Sequence, residues 1–396
     1  MSILFAPIKV GDLQLENRFV RSATHEGLAT ERGFVTDELI KRYRRLARGE
    51  IGLIIAGYQY VHPLGRCYKH QAGIYDDEQI PGLKQLTDAI HEEGGKVAFQ
   101  IAHGGVYARK DLIGETPMGP SNQPRDPAYF FKPKKMTEAQ IEKVLDAFAQ
   151  AARRAVAAGV DALQIHAAHG YLISQFLSPF FNHRDDRWGG SDENRFRFLR
   201  EVYLRVRREM PVGMPLLVKI NGHDYTPKEG ITPPLAARYA SWLVDLGIDG
   251  VEVSCGTVLE SPWSMIRGTV PVKEMLRAFA WWQRPLVRMI LNQDVGKFEL
   301  KDGYNLDLAR EIRASLDGVP LAVVGGMRRV SHMEAVLESE QADLISMSRP
   351  FLREPYLIRR IREGKTDAAT CESCNRCAAA QVNDMAVRCY CKSFPQ

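Results

Sequence analysis

The sequence predicts a (β/α)₈ barrel, and three observations lead to this fold. Eight short segments are almost continuously apolar, as parallel strands buried on both faces are. Helical patterns lie between these segments, so strands and helices alternate along the chain. No GxGxxG follows any of the strands and no Walker A motif occurs, which disfavours the competing doubly wound sheet.

The strands are predicted from apolar runs that end in polar or glycine residues. In chain order they are FVRSA, GLIIAG, KVAFQI, ALQIH, LLVKIN, GVEVS, LAVVGG and LISMS. In a barrel of this kind, chemistry is found where the strands end and the following loops begin. We therefore look for functional residues at those ends.

Helix start signals separate the strands. Thr137 with Gln140 forms a capping box, in which each side chain bonds a free N–H of the first turn. The Thr-Pro pair at 232–233 predicts a second start, because proline suits the first helical position. Ser331 with Glu334 predicts a third.

The length of 396 residues fits one barrel, because α/β barrels commonly exceed about 250 residues. We assign residues 1–365 to it. Residues 256–300 separate the sixth and seventh strands and contain three tryptophans. A connection this long is typically a lid or a binding segment, so we expect it to cover the substrate. Residues 366–396 follow the last barrel helix and hold five of the seven cysteines.

Charge and hydropathy exclude several classes of partner. The 53 basic and 48 acidic side chains are well mixed, and their net charge of +5 is too small to indicate nucleic acid binding. No apolar run approaches the roughly 18 to 20 residues that span a bilayer. The start, MSILFAPIKV, lacks the basic and long apolar regions of a signal peptide. We therefore expect a cytoplasmic protein without a membrane partner.

A histidine pair follows the fourth strand. His166 and His169 lie three residues apart, and Tyr171 comes next. Two neutral imidazoles that donate N–H bonds to one carbonyl oxygen would stabilise a developing enolate, and Tyr171 could then give a proton to carbon. A metal-binding pair and histidines with structural hydrogen bonds are the alternatives that the spacing leaves open.

The ends of the seventh and eighth strands predict a phosphate site. Gly325 and Gly326 follow one strand, and Ser348 and Arg349 follow the other. Free backbone N–H groups, a hydroxyl and a guanidinium suit a phosphate, and barrels often bind one at this place. A tight turn beside a surface arginine is the structural alternative.

Two further strand ends carry residues suited to a planar cofactor. Lys219 ends the fifth strand, where a fixed cation could stabilise an anionic reduced ring. Gln100 ends the third strand and could hold a ring edge through its amide.

Six segments spread over nearly the whole barrel resemble a known family. They are LFAPIKVGDLQLENRFVRSATHEGL, GLIIAGYQYV, QIAHGG, GVDALQIHAAHGYLISQFLSPFFNHRDDRWGGSDENRFRF, PLAVVGGM and ADLISMSRPFLREP. On these segments the sequence resembles the old yellow enzyme family of flavin-dependent barrel oxidoreductases. The long fourth segment is the most specific of them.

The resemblance implies a non-covalent FMN at the barrel mouth. It assigns the flavin ring to Ser22, Ala23, Thr24, His25, Gly57, Gln100 and Lys219, the phosphate to Gly325, Gly326, Ser348 and Arg349, carbonyl binding to His166 and His169, and proton donation to Tyr171. It further implies that NAD(P)H reduces the flavin, which then passes hydride to the β-carbon of an α,β-unsaturated carbonyl compound. Lys219 stands where many members have Arg, and His25 resembles the branch that includes 2,4-dienoyl-CoA reductase.

The cysteines near the C-terminus form a metal-like pattern. Cys371, Cys374, Cys377 and Cys389 follow a C-x2-C-x2-C-x11-C spacing. Four thiolates suit a [4Fe–4S] cluster; a Cys₄ zinc site and free thiols are the alternatives. The spacing resembles the cluster ligands of the branch that contains trimethylamine dehydrogenase and dienoyl-CoA reductase. Cys391 is spare or an alternative fourth ligand.

The leading expectation is an FMN-dependent ene-reductase that uses NAD(P)H on enone-type substrates. An amine dehydrogenase that sends electrons out through the cluster is the second reading, and a non-enzymatic electron-transfer flavoprotein is the third. In that branch the cluster passes electrons on, so an electron-transfer partner stays open, as does a homo-oligomer.

Overall fold

Eight parallel strands close into a barrel in the order in which they occur along the chain. The structure is a computed structural model that describes residues 2–123 and 132–394. We label the strands β1 Phe19–Arg21, β2 Leu53–Tyr60, β3 Val97–Ala102, β4 Ala162–Ala167, β5 Leu216–Asn221, β6 Gly250–Ser254, β7 Leu321–Val324 and β8 Leu344–Met347. β8 pairs with β1, so that Met347 lies opposite Arg21. The predicted (β/α)₈ barrel is thus confirmed.

Helices alternate with the barrel strands. They are α1 Asp37–Ala47, α2 Ile80–His91, α3 Lys110–Ile113, α4 Glu138–Ala157, α5 Leu172–Leu177, α6 Asp192–Arg208, α7 Pro233–Asp245, α8 Pro262–Met265, α9 Val272–Met275, α10 Arg284–Asn292, α11 Leu306–Arg313, α12 Val330–Glu338, α13 Arg349–Arg353, α14 Leu357–Arg362 and α15 Arg376–Val382. Short 3₁₀ turns cover Ile3–Phe5, Pro63–Gly65, Asp77–Gln79, Gly105–Tyr107 and Leu276–Ala278.

The predicted helix starts are partly confirmed. Thr137 and Gln140 form the capping box of α4, and α7 begins with the Thr-Pro pair at 232–233. The third prediction is wrong, because α12 begins at Val330, before Ser331. The Val330 N–H donates to the carbonyl of Asp367, so the chain that follows the barrel satisfies this helix end instead of a side-chain cap.

A hairpin fills the amino-terminal end of the barrel. Ile8–Val10 pairs antiparallel with Leu13–Leu15. Val10 and Leu15 pack against the lower interior layer, formed by Val20, Leu53, Ile55, Ala98, Ala162, Leu217, Ala322 and Leu344. The barrel is therefore a packed core at this end, and open space lies at the carboxyl ends of the strands.

The 256–300 connection and the chain after the barrel dock on each other. α15 packs against α9, and Arg376 forms a 3.0 Å ion pair with Glu274. The Asn383 side chain donates to the Glu274 carbonyl at 3.0 Å. Residues 395–396 of the predicted cysteine-rich segment lie outside the described residues.

None of the helices in the described ranges combines the length and apolar character needed to cross a bilayer. All seven cysteines are free thiols. The small remaining sheets are the amino-terminal hairpin and the parallel pair Met118–Gly119 and Lys134–Lys135.

Candidate active site

One cavity opens at the carboxyl ends of the barrel strands. It is lined by most of the predicted catalytic and cofactor residues, namely Ser22, Ala23, Thr24, His25, Gln100, His166, His169, Tyr171, Lys219, Gly325, Gly326, Ser348 and Arg349. These residues come from six different strand ends, and the barrel geometry is what brings them together.

Gly57 does not line this cavity. The predicted strand ended at this glycine, whereas β2 continues to Tyr60 with a register shift after Ala56. The Gly57 N–H donates to the Tyr43 hydroxyl at 2.8 Å. A Cβ here would collide with the carboxylate of Glu26, so a close approach of the neighbouring loop explains the glycine.

The two histidines form an edge-to-face pair within the cavity. The ring centroids of His166 and His169 are 5.0 Å apart with an interplanar angle of 86°. Burial, reinforced by the positive charge of Lys219, lowers the pKa of His166 well below its ordinary value. Burial and His166 do the same to the pKa of His169. Both imidazoles are therefore neutral at physiological pH, and each retains one N–H with which it can polarise a carbonyl.

One ring nitrogen of the pair lacks a partner. His166 Nδ1 is buried and makes no hydrogen bond, whereas His169 Nε2 shares a 2.7 Å hydrogen bond with the Ser254 hydroxyl. Buried polar atoms are normally satisfied, so an unpaired one on a residue that lines a cavity fits a ligand atom.

The backbone of His169 is held in an unusual conformation. Its φ of +62° lies in the left-handed region that residues with a Cβ rarely adopt. Asn221 supports this turn by accepting from the His169 N–H at 3.1 Å, and its amide donates to Asp224 at 2.8 Å. Strain of this kind is maintained where the surroundings fix a functional group, here the second imidazole.

Tyr171 lies beside the histidines and is hydrogen-bonded to a second phenol. Its ring centroid is 5.0 Å from that of His166, and its hydroxyl donates to Tyr58 Oη at 3.0 Å. Gln381 of α15 donates to the same Tyr58 oxygen at 3.2 Å. Burial raises the pKa values of Tyr171 and Tyr58 well above the ordinary value, so both phenols are protonated.

A chain of buried polar groups lies beneath the cavity floor. Gln100 Nε2 donates to Gln164 at 2.6 Å, and Gln164 Nε2 donates to Glu252 at 3.0 Å. Glu252 also lies 3.4 Å from Lys219 Nζ, which donates to the Ser22 hydroxyl at 2.7 Å. Lys219 is therefore one half of a buried ion pair and not an isolated cation.

Glu252 is a site residue that the sequence prediction missed. It occupies the middle of the apolar run GVEVS and is fully buried. Burial opposes its ionisation, but the charge of Lys219 and hydrogen bonds from Ser22, Ser346 and Gln164 keep its pKa below the ordinary value. A single carboxylate inside an otherwise apolar strand is the signal that could have found it, because such residues are almost never buried unpaired.

The residues predicted to bind a phosphate line the same cavity. Gly326 has a φ of +74°, and a Cβ there would collide with the Lys301 carbonyl, so the turn requires glycine. Arg349 is partly engaged, since it donates to the Arg267 carbonyl at 2.8 Å and to the Asn375 side chain.

Arg328 is a second residue that the prediction missed. It lines the cavity beside the glycine pair. Its Nη2 donates to Ser373 at 2.9 Å, while its buried Nε has no partner. An unpaired guanidinium N–H fits the oxygens of a phosphate. The GGMRR sequence, with an arginine directly after the turn, carried that information.

Five of the seven cysteines line a second, smaller cavity. It is bounded by Cys371, Cys374, Cys377, Cys389 and Cys391, together with Arg349 and Arg353 among others. Burial raises the pKa of Cys377 to about 11. Within the ranges that the structure describes, no group of three or more His, Cys, Asp or Glu side chains is arranged to hold a metal ion.

Comparison with protein families gives a clear match. The model of the NADH:flavin oxidoreductase / NADH oxidase family matches residues 3–260. The chain is 34% identical to the 4,4'-dithiodibutanoate disulfide reductase of Rhodococcus erythropolis, over 94% of this chain and 92% of that protein. It is 36% identical to the NADPH dehydrogenase of Geobacillus thermodenitrificans (strain NG80-2), over 90% of this chain and 92% of that protein.

Solved structures give the same fold. A 2-naphthoyl-CoA reductase in complex with 2-naphthoyl-CoA matches with a TM-score of 0.85 and 28% identity. That match covers 98% of this chain and 56% of the other, so the chain spans just over half the length of that protein. An old yellow enzyme homologue from Zymomonas mobilis matches with a TM-score of 0.74 and 26% identity, over 93% of this chain and 94% of that chain.

Proposed function

Because the chain belongs to the old yellow enzyme family of NADH:flavin oxidoreductases, we propose that its cavity reduces the C=C bond of α,β-unsaturated carbonyl compounds. The coarser activity follows from the family: the chain is an FMN-dependent oxidoreductase that uses NADH or NADPH. The ene-reductase reaction is supported by one observation above the others, the pair of neutral imidazoles beside a phenol in a single cavity.

The residues present fit FMN. The unpaired Nε of Arg328 and the backbone of Gly325 and Gly326 would hold its phosphate, with Ser348 and Arg349. Ser22, Ala23, Thr24, His25, Gln100 and Lys219 would surround the ring system. The chemistry that FMN supplies when bound is hydride transfer from NAD(P)H to the substrate.

His166 and His169 would bind the substrate carbonyl. Each imidazole donates one N–H to the oxygen, which withdraws electron density from the conjugated double bond and stabilises the enolate-like charge. Neutral histidines suit this role, because a neutral ring has one N–H that can donate and a second nitrogen that can accept. In His169 the Nε2 atom is held by a hydrogen bond with the Ser254 hydroxyl. Tyr171 would then give its hydroxyl proton to the α-carbon.

The Lys219–Glu252 pair gives the cavity floor less positive charge than a lysine alone would. Lys219 Nζ would act on the cofactor mainly as a hydrogen-bond donor, because Glu252 compensates its charge at 3.4 Å. A ring that gains negative charge on reduction would therefore be stabilised less than by an unpaired arginine.

Unsaturated acyl thioesters belong to the proposed substrate class. Their carbonyl is conjugated to the double bond in the same way, and a relative of similar fold is a 2-naphthoyl-CoA reductase. The partly exposed rim formed by Met265, Ile266 and Met275 would contact the apolar part of such substrates.

Rapid-mixing kinetics test the proposal. The protein, reduced anaerobically with NADPH, is mixed with cyclohexenone, and flavin reoxidation is followed by absorbance. We expect fast reoxidation by the enone and a loss of about 10²- to 10³-fold when His166 or His169 is replaced by Ala, the effect of removing one oxyanion donor. If reoxidation is no faster with the enone than with buffer, the proposal is wrong.

A [4Fe–4S] cluster held by Cys371, Cys374, Cys377 and Cys389 is proposed for the smaller cavity. It is supported by the C-x2-C-x2-C-x11-C spacing and by five free thiols around one cavity. When bound, such a cluster supplies one-electron transfer. Iron and acid-labile sulfide assays on anaerobically purified protein test this, and a Cys374→Ser variant is the matched control that should lose both.

An oxidative activity is the second candidate, with electrons leaving through the cluster to a partner protein. Arg349 favours it, because this residue lines both the cofactor cavity and the cysteine cavity. Reduction of the bound flavin by amines without NAD(P)H would support this candidate over the first.

We propose the cytoplasm as the location, supported by seven cysteines without a disulfide.

A further inference from the structure

We propose that Tyr58 and Gln381 are positioning residues for Tyr171: Gln381 fixes the Tyr58 phenol, and Tyr58 stabilises and reprotonates Tyr171 after each proton transfer to substrate. The inference rests on the proposed function, in which Tyr171 is the proton donor. It adds a role for the segment after the barrel, which reaches the reacting groups through Gln381.

The hydrogen bonds of Tyr58 carry the inference. Its hydroxyl oxygen accepts from Tyr171 at 3.0 Å and from Gln381 Nε2 at 3.2 Å. A phenolic oxygen is both donor and acceptor, so its proton remains available to a third group. Tyr68 shares a hydrogen bond with Tyr58 and also lines the cavity. Tyr58 therefore stands between the buried phenol of Tyr171 and a partly exposed one.

Proton transfer to substrate creates a need that Tyr58 can meet. The Tyr171 O–H bond breaks and a C–H bond forms at the α-carbon, which leaves a phenolate on Tyr171. Its side chain is only 3% exposed, and a buried charge without a hydrogen bond is costly. The Tyr58 hydroxyl can rotate and donate to this phenolate, since a hydroxyl proton is not fixed.

The proton balance then closes through the phenols. The proton of Tyr58 passes to Tyr171, and Tyr58 regains one from solvent through Tyr68. Each turnover consumes one solvent proton and one hydride, which NAD(P)H supplies. The electron pair that reduces the double bond comes with the hydride, so the phenols undergo no redox change.

Gln381 is placed by anchors at both ends of α15. At the start, the Asn375 side chain donates to the carbonyls of Ile266 at 2.7 Å and Thr269 at 3.1 Å. At the end, Asn383 donates to the Glu274 carbonyl. Ala378, Gln381 and Val382 line the cavity between these anchors. Of these three residues, Gln381 is the one whose side chain donates to the Tyr58 hydroxyl.

Nuclear magnetic resonance of FMN-loaded protein labelled with ¹³Cζ-tyrosine tests the positioning without any turnover. Gln381→Met keeps the side-chain length and removes the donor. We expect it to shift the Cζ resonances of both Tyr58 and Tyr171, because Gln381 donates to the Tyr58 oxygen that also accepts from Tyr171. Tyr60→Phe is the matched control, because Tyr60 shares β2 with Tyr58 but donates to the Arg32 carbonyl outside the cavity. An unchanged Tyr171 resonance in Gln381→Met overturns the positioning.

Half-reaction kinetics test the proton relay. We expect Tyr58→Phe to slow reoxidation by cyclohexenone about 10- to 100-fold, the effect of a hydrogen bond to a charged group, and Gln381→Met to slow it about 3- to 10-fold. Reduction by NADPH moves no proton from Tyr171, so its rate should stay within about twofold in both variants and in Tyr60→Phe. The solvent deuterium isotope effect on reoxidation should rise in Tyr58→Phe.

The outcomes separate the two proposals. Equal slowing of both half-reactions, or unchanged reoxidation in Tyr58→Phe, overturns the relay and leaves the ene-reductase reaction standing. Failure of the unsubstituted protein to be reoxidised by enone overturns the proposed function together with the relay. In that case the resonance shifts still decide whether Gln381 positions the two phenols.

Discussion

Replacing Glu252 by Gln should lower the free energy of unfolding by about 3 to 5 kcal/mol at neutral pH, the cost of removing one member of a buried ion pair. Lys219 Nζ and Gln164 Nε2 both face the carboxylate, at 3.4 Å and 3.0 Å. The variant replaces one of the two accepting oxygens by an N–H₂ donor, which faces either Lys219 or Gln164, and it leaves Lys219 charged without a counter-charge. The side chains are 3% and 0% exposed, so water cannot compensate.

The destabilisation should depend on pH in a defined direction. Burial, opposed by Glu252, lowers the pKa of Lys219, so the unfolded chain binds this proton more tightly than the folded one. Stability therefore rises as the pH increases toward the ordinary lysine value of about 10.4. Without Glu252 the folded pKa falls further, the rise begins at a lower pH, and the deficit of the variant shrinks in alkaline solution.

Urea unfolding followed by tryptophan fluorescence measures both effects. The series is run at saturating FMN and after its removal, because a variant that loses the ligand would also lose apparent stability. A Lys219→Met, Glu252→Leu double variant removes both charges and should recover most of the loss, as apolar replacements of buried pairs often do. If the double variant is as unstable as Glu252→Gln alone, the unpaired charge is not the cause.

Three further outcomes are expected. Burial lowers the pKa of His25 to about 4 and that of His103 to about 3, so stability should fall as the pH drops from about 6.5 to about 4, by about 1.4 kcal/mol per pH unit for each histidine; a flat urea-unfolding series over this window would contradict it. Arg328→Gln should raise the dissociation constant of FMN about 10- to 100-fold in a flavin-fluorescence titration, whereas Arg329→Gln, whose guanidinium pairs with Asp302 at 2.5 Å outside the cavity, should leave it unchanged. Leu15→Ala should cost about 2 to 5 kcal/mol of stability in chemical unfolding, because it leaves a cavity at a fully buried position of the amino-terminal hairpin; FMN affinity should stay the same.

The barrel could be predicted because its strands carry a local signal. Runs such as GLIIAG and LAVV are apolar at successive positions, and parallel strands covered on both faces require that composition. Once the strands were predicted, their carboxyl ends were known too, and the polar residues at those ends could be predicted to line the cavity. The helix start at Ser331 failed because a contact distant in sequence, between Val330 and Asp367, determines that helix end.

The missed residues depend on contacts that no local pattern encodes. The role of Glu252 becomes visible when β6 is paired with β5, which brings Lys219 opposite it. Gln381 follows the cysteine motif by only a few residues, but its contact with Tyr58 spans 323 positions of the chain. Gly57 was expected beside the flavin; it lies within β2, which continues to Tyr60, and is packed too closely against Glu26 to carry a Cβ, so its place at the cofactor stays a prediction.

The wall that α15 adds to the cavity has an evolutionary consequence. β8 pairs with β1 without any contribution from that helix, so the closure of the barrel does not depend on this wall. Substitutions in Arg376–Val382 can reshape one side of the substrate space without disturbing a strand register. Substrate preference and resistance to unfolding can thus diverge separately in such a chain, because different stretches of sequence determine them.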